Sequence, residues 1–362
     1  MQFNLKGFEA TAIGSLPFLD MEKAMDLIEK HTPIIPHWPQ LPKRGMQEHF
    51  VHQYLELLVR FDLLKIKEDK MYMDYEDNYW QDNLLKFYEL YLSIEAGDIG
   101  LLEEIKTPIE YVPGIYDLVE KVESGRFVEA QIFKGQIAGP LSVGLNIKDH
   151  RGKLVYYDSQ LRDLVVKTLM LQAWWQTLKL KINNKGVIVF VDDPALSAFG
   201  TSNYITLNRE MIIEDLAFVI GGIRNGGGLA GAHSCAGIDW TILMEAGFNI
   251  ISFDAYSYFQ TLAVYTEELK TFINSGGLLA WGIIPTYNLT AGESVENLTE
   301  IMGKQIEHLL KKGINESKLL DQIMITPACG ASTLTEETAE KVYQLLQGVS
   351  EAMQNKYVVR KT

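Results

Sequence analysis

Sulfur is scarce in this chain. Two cysteines, Cys235 and Cys329, serve 362 residues, too few for a disulfide framework in a protein of this size, so the fold must rest on its apolar core. Basic residues are outnumbered as well: 33 Lys and Arg stand against 47 Asp and Glu, a formal net charge of −14. A surface this acidic repels phosphate backbones and anionic headgroups, which argues against nucleic acid and against a membrane surface as partners. Long apolar runs are missing too. No stretch reaches the roughly 18 residues a bilayer span requires, and the opening "MQFNLKGFEA" has no basic region followed by an apolar one. The expectation is a cytoplasmic protein. There is no internal repeat and no low-complexity tract. With 47 % hydrophobic and 22 % charged residues, the composition is that of a globular chain with a sizeable core rather than a disordered one.

What the chain does have is alternation. Eight short apolar runs, at 8–15, 33–38, 128–140, 186–194, 229–235, 249–255, 278–286 and 321–330, read as strands. Between them lie amphipathic stretches such as "MEKAMDLIEKH", "SQLRDLVVKTLMLQAWWQTLKLKI" and "SVENLTEIMGKQIEHLLKKG", and "EETAEKVYQLLQGVSEAMQNKY" reads as a closing helix. Strands that alternate with helices pair in parallel, and eight such units predict an α/β fold: one (β/α)8 TIM barrel spanning residues 1–362, with a doubly wound sheet as the alternative. Residues 60–127, polar and tyrosine-rich at first and helical later, read as an insertion after the second strand. In a barrel such an insertion forms a lid or wall over the face where the strands end.

That face is where the polar residues gather. Ser15 follows the first run and Gln40 the second; Asp192 and Asp193 end the fourth, His233 and Cys235 the fifth, Asp254 the sixth, Tyr287 follows the seventh, and Cys329 ends the eighth. One imidazole, two thiolates and one carboxylate make a donor set suited to zinc, and positions i and i+2 of a strand share a face, so His233 and Cys235 can chelate one ion. The competing reading makes His233 a satisfied core histidine and both cysteines small buried hydrophobes. Asp254 has its own alternative, capping the helix that follows, and so has Asp193, as a cap of "PALSAF" rather than a partner of a cation. Asp192, at the end of an apolar strand, calls for a cationic partner such as a bound ammonium group. The turn "AIGSLP" brings a backbone N–H and the Ser15 hydroxyl within reach of a carboxylate, Gly14 permitting close approach. "GGIRNGGG" follows a helix and precedes a strand, the reverse of a nucleotide loop, and reads as a helix stop.

Five motifs in order, "IGSLP", "IAGPLS", "VDDPAL", "HSC" and "PACG", resemble those of the catalytic barrel of cobalamin-independent methionine synthase, within the wider uroporphyrinogen decarboxylase and methionine synthase superfamily. The resemblance implies a thiol methyltransferase that converts homocysteine to methionine. It implies zinc held by His233, Cys235 and Cys329, with Asp254 where the family has a glutamate. It also implies homocysteine contacts at Ile13, Gly14, Ser15 and Asp192, with Gln40 standing where the family has an acid. Tyr287 stands near the family's proton-transferring histidine and is assigned, with Asp192, a catalytic role. The family's full-length enzymes carry a second barrel for the folate donor, for which 362 residues leave no room. The resemblance is therefore to single-barrel members, with a corrinoid donor or a methylated corrinoid protein as partner. A related enzyme acting on another thiol such as coenzyme M, a metal-free decarboxylase-like protein and a corrinoid-presenting protein are the alternatives.

Overall fold

The computed structural model describes residues 5–68, 70–287 and 292–358. Among them are thirteen α-helices and ten strands: β1 Glu9–Ala10, β2 Lys65–Lys67, β3 Lys70–Met73, β4 Ile132–Ala138, β5 Lys148–Asp149, β6 Gly186–Asp192, β7 Leu229–Ser234, β8 Ile250–Asp254, β9 Leu278–Ile284 and β10 Ile323–Pro327. Seven strands form one curled sheet in the order β1-β10-β9-β8-β7-β6-β4, every pair parallel. This is a TIM-barrel-like α/β fold. All residues of β4, β8 and β10 are buried, as parallel strands covered on both faces require, which explains why β8 and β10 run largely apolar without alternation.

The run at 33–38 is not a ladder strand. Pro33 and Pro36 carry no N–H, so regular pairing cannot continue through them. The segment is nevertheless extended and tied on both sides. Toward β4, the Ile34 carbonyl accepts from Gln131 and Ile132, the Pro36 carbonyl accepts from Lys134, and Trp38 N–H donates to the Lys134 carbonyl. Toward the residues after β1, Thr11 Oγ1 donates to the Ile35 carbonyl at 2.8 Å, Gln40 N–H donates to the Gly14 carbonyl and Leu16 N–H to the Gln40 carbonyl. Residues 34–40 thus bridge the two edges of the curled sheet.

Helices cover the outside. Met21–His31, Ser159–Lys179, Arg209–Asn225, Val295–Lys311 and Glu336–Tyr357 begin at Asp20, Asp158, Asn208, Ser294 and Thr335, whose side chains accept a first-turn N–H. "GGIRNGGG" does stop a helix, with Gly226 as its C-cap and Gly227 at φ 79°. The apolar core has two parts. A large cluster lies between sheet and helices; a small one, built from Ile35, Ile132, Ile188, Phe190, Ile250, Ala280 and Met324, fills the inside of the curl. Residues 41–131 hold turns, short helices, the longer helices Trp80–Glu95 and Pro113–Glu123, and the hairpin of β2 and β3, which β5 joins in a second, three-stranded sheet. No helix among the described residues is long and apolar enough to cross a membrane.

Candidate metal centre

Register puts the polar strand ends at one height. Asp192 of β6 lies opposite His233 of β7, and His233 opposite Ser252 of β8. Beyond the strands, Cys235 and Cys329 complete the cluster: the ligand atoms of His233, Cys235 and Cys329 all lie within 4.8 Å of one another. His233 is 5 % exposed. Its Nδ1 sits 3.0 Å from Ser252 Oγ, and its Nε2 is buried with no hydrogen-bond partner. Donation of Nδ1–H to the serine leaves the Nε2 lone pair free, the arrangement that orients a metal-binding imidazole. An orphaned ring nitrogen beside two free thiols is costly unless something occupies the space between them. The set fits a borderline-soft tetrahedral ion, and zinc above the harder cations.

The two sulfurs titrate as a pair. The proximity of Cys329, and then of the His233 ring, pulls the Cys235 thiol well below the ordinary range, against the effect of burial. The same proximity to Cys235, with burial, pushes Cys329 up. Binding an ion here requires the cysteines to give up their protons.

A cleft of about 260 Å3 opens above the cluster, lined among others by Ile13, Ser15, Gln40, Asp192, His233, Cys235 and Cys329. Asp192 is only partly covered, but its Oδ1 is buried and unpartnered. Burial raises its pKa, opposed by His233 and Lys134 and reinforced by the Cys235 thiolate. Gly14 has φ 137°, a conformation that side chains disfavour, and a Cβ there would meet the Gln136 side chain at 2.5 Å. At Gly330 a Cβ would fall 2.2 Å from Ser15 Oγ, so the Ser15 hydroxyl would have to turn away. Gln40 clamps the turn through its backbone, and its Nε2 is buried without a partner.

Asp254 and Tyr287 lie apart from the three-residue set and bond to each other. Asp254 Oδ1 accepts from Ser257 N–H at 2.8 Å, capping the helix Ala255–Ala263, and its Oδ2 accepts from the Tyr287 hydroxyl. Burial raises the Asp254 pKa, and both hydrogen-bond partners oppose the shift. Asp193 is also a cap, though of another helix: its carboxylate accepts from Leu141 N–H, Ser142 N–H and Ser142 Oγ at the start of Pro140–Asn146. "PALSAF" receives no side-chain cap from it.

No family model matches the chain, and no curated protein matches it. Solved structures do. A candidate vitamin-B12-independent methionine synthase from Listeria monocytogenes aligns over 96 % of this chain and 99 % of its own, with a TM-score of 0.50 and 12 % identity. A B12-independent methionine synthase from Shewanella sp. W3-18-1, in complex with selenomethionine, aligns over 68 % of this chain and 67 % of its own, with a TM-score of 0.48 and 18 % identity. The likeness is one of fold.

Two residues, one lining the cleft and one buried beneath it, escaped the sequence reading. Phe50 lines the cleft from a stretch with no strand signal. Lys134 sits within β4 at 0 % exposure, and its Nζ donates to the Ile13 carbonyl at 2.7 Å. Its signal was present: a lysine inside an otherwise apolar run is rarely buried without a purpose. A separate groove of about 700 Å3 runs between His49–His52, the β2–β3 hairpin and residues 146–152, and contains none of the candidate site residues.

Proposed function

We propose that this protein is a zinc-dependent methyltransferase that moves a methyl group onto the sulfur of homocysteine to give methionine. We read residues 34–40, tied to β4 and to the turn after β1, as closing a (β/α)8-type barrel in place of a regular strand, and the insertion at 60–127 as a lid or wall over the site. The observation that carries the reading is the coincidence, in one small cleft, of the His233, Cys235 and Cys329 cluster with an unpartnered carboxylate oxygen at Asp192. The motif resemblance and the shared fold support it. Zinc held by the three residues supplies, when bound, the Lewis acidity that keeps a small thiol ionised at neutral pH.

The chain's own residues do the rest. Asp192 receives the substrate ammonium, and the turn Ile13–Gly14–Ser15 receives its carboxylate. Gln40 holds that turn in place, and its free amide faces the same space. Asp254 is engaged by Ser257 and Tyr287; with zinc on His233, Cys235 and Cys329, substrate sulfur would be free to join them, and Tyr287 stands at the rim where the donor enters. The transfer balances: the thiol proton passes to solvent, sulfur gains the methyl group, and the donor leaves with the bonding electron pair. A corrinoid or methylated corrinoid protein is the proposed donor. Asp192 favours homocysteine over coenzyme M, which has no amino group to pair with it.

The test is metal analysis of the purified protein followed by methyl transfer to homocysteine and to coenzyme M from methylcobalamin, a methylated corrinoid protein and methyltetrahydrofolate in parallel. About one zinc per chain and methionine formed from a corrinoid donor support the reading. Zinc-free protein that cannot be loaded, or loaded protein that methylates neither thiol with any donor, overturns it.

A further inference from the structure

The side chains of β4 that face into the curl belong to Ile132, Lys134 and Gln136, at the two-residue period of a strand. Ile132 joins the inner apolar cluster. Above it Lys134 Nζ lies 4.3 Å from the centre of the Phe190 ring and donates to the carbonyls of Ile13, at 2.7 Å, and Gly135, at 3.4 Å. It forms no direct ion pair among the described residues. A fully buried ammonium held by carbonyl oxygens and an aromatic face, without a contacting carboxylate, is expensive to maintain. Methionine or leucine would fill the same space at less cost, so the charge calls for an explanation.

The turn it supports provides one. Each of the three carbonyls is engaged on the protein side: Ile13 by Lys134, Gly14 by Gln40 N–H and Ser15 by Ala331 N–H. None of the three peptide N–H groups has an acceptor among the described residues. Ile13 and Ser15 line the cleft, so the turn offers it donors. A cation behind a peptide carbonyl polarises the same peptide's N–H toward an anion in front, and nearby positive charge in low dielectric favours that anion further.

We propose that Lys134 is the positioning residue of a carboxylate subsite: from behind the Ile13–Ser15 turn it fixes the turn and supplies the positive charge that selects an α-carboxylate on the bound thiol or thioether. This rests on the methyltransferase reading and names a specificity determinant within it. Lys134 does not touch substrate; it acts through the Ile13–Gly14 peptide.

The decisive comparison is calorimetric binding of L-methionine and of its decarboxylated amine, 3-(methylthio)propylamine, to wild-type, K134M and K134Q protein. Both ligands carry the ammonium group, so any change at Asp192 cancels in the ratio of affinities. Wild type should prefer L-methionine by at least tenfold. In K134M that preference should fall at least tenfold with metal content unchanged. In K134Q, which keeps a donor for the Ile13 carbonyl without the charge, it should fall by part of that amount. K134Q decides if K134M does not fold. A preference equal to wild type in the folded variants, or an equal loss of affinity for both ligands, overturns the proposal and leaves the methyltransferase reading standing. Wild-type protein that binds neither ligand overturns both.

Discussion

Replacing Asp192 with asparagine removes one charge and almost no volume, and its consequence can be worked from the site. The Asp192 Oδ1 is buried and unpartnered, while the residue as a whole retains some exposure to the cleft. Losing one side of a desolvated charge pair costs roughly 2–5 kcal/mol; the partial exposure and the acceptor oxygen kept by asparagine place D192N at the lower end, about 2–3 kcal/mol. At about 1.4 kcal/mol per factor of ten, kcat/KM for homocysteine should fall roughly 30- to 150-fold. The loss should be confined to amino thiols. With 4-mercaptobutanoate, which lacks the amino group, D192N should match wild type within about twofold, and zinc content should not change. Burial raises the Asp192 pKa in the folded state, so its ionisation opposes folding, a penalty that builds as pH rises from the unfolded to the folded value; asparagine is spared it but forgoes the attraction between Asp192 and the buried Lys134 ammonium. Steady-state assays of both thiols with both proteins carry the test. Equal losses on the two thiols would refute the assignment of Asp192 to the ammonium group.

Other outcomes follow from the same geometry. Cys329→Ser should lose bound zinc on dialysis and fall to background activity, measured by metal analysis and methionine formation, because one of three convergent donors is gone. Tyr287→Phe should keep its zinc and alter only turnover, since the hydroxyl contacts Asp254 rather than the donor cluster. His37 is buried between the Trp38 carbonyl and the Tyr343 hydroxyl, and burial holds its pKa down at about 3. The unfolded chain therefore binds more protons below about pH 6.5, and stability should fall as pH drops below that value. Between pH 6.5 and 5 the loss is about 2 kcal/mol, read as a falling midpoint in denaturant titrations of chelated protein. His37→Gln should flatten that slope.

The sequence made the strand ends legible because parallel strands buried on both faces write themselves as uninterrupted apolar runs, and the first polar residue after each run marks the open face. His233, Cys235 and Cys329 were found this way, although they come from two distant parts of the chain. The run at 33–38 misled for a physical reason: its hydrophobicity is that of a strand, but two prolines remove the donors a ladder needs. For Asp193, capping of "PALSAF" is only the alternative reading; it caps a different helix, and which one depends on a packing contact fifty residues upstream that local pattern cannot encode. Asp254 left ligation and capping open, and the structure shows it capping. Lys134 went unnoticed because its direction, into the curl and under the turn, emerges only once β4 has a register.

The central claim is that one zinc ion joins His233, Cys235 and Cys329 and keeps a position for substrate sulfur, and X-ray absorption at the zinc edge tests it most directly. The account predicts two sulfurs at about 2.3 Å and one histidine nitrogen at about 2.0–2.1 Å in the resting protein, with a third sulfur on addition of homocysteine. A shell without two sulfurs, or one that homocysteine leaves unchanged, contradicts it.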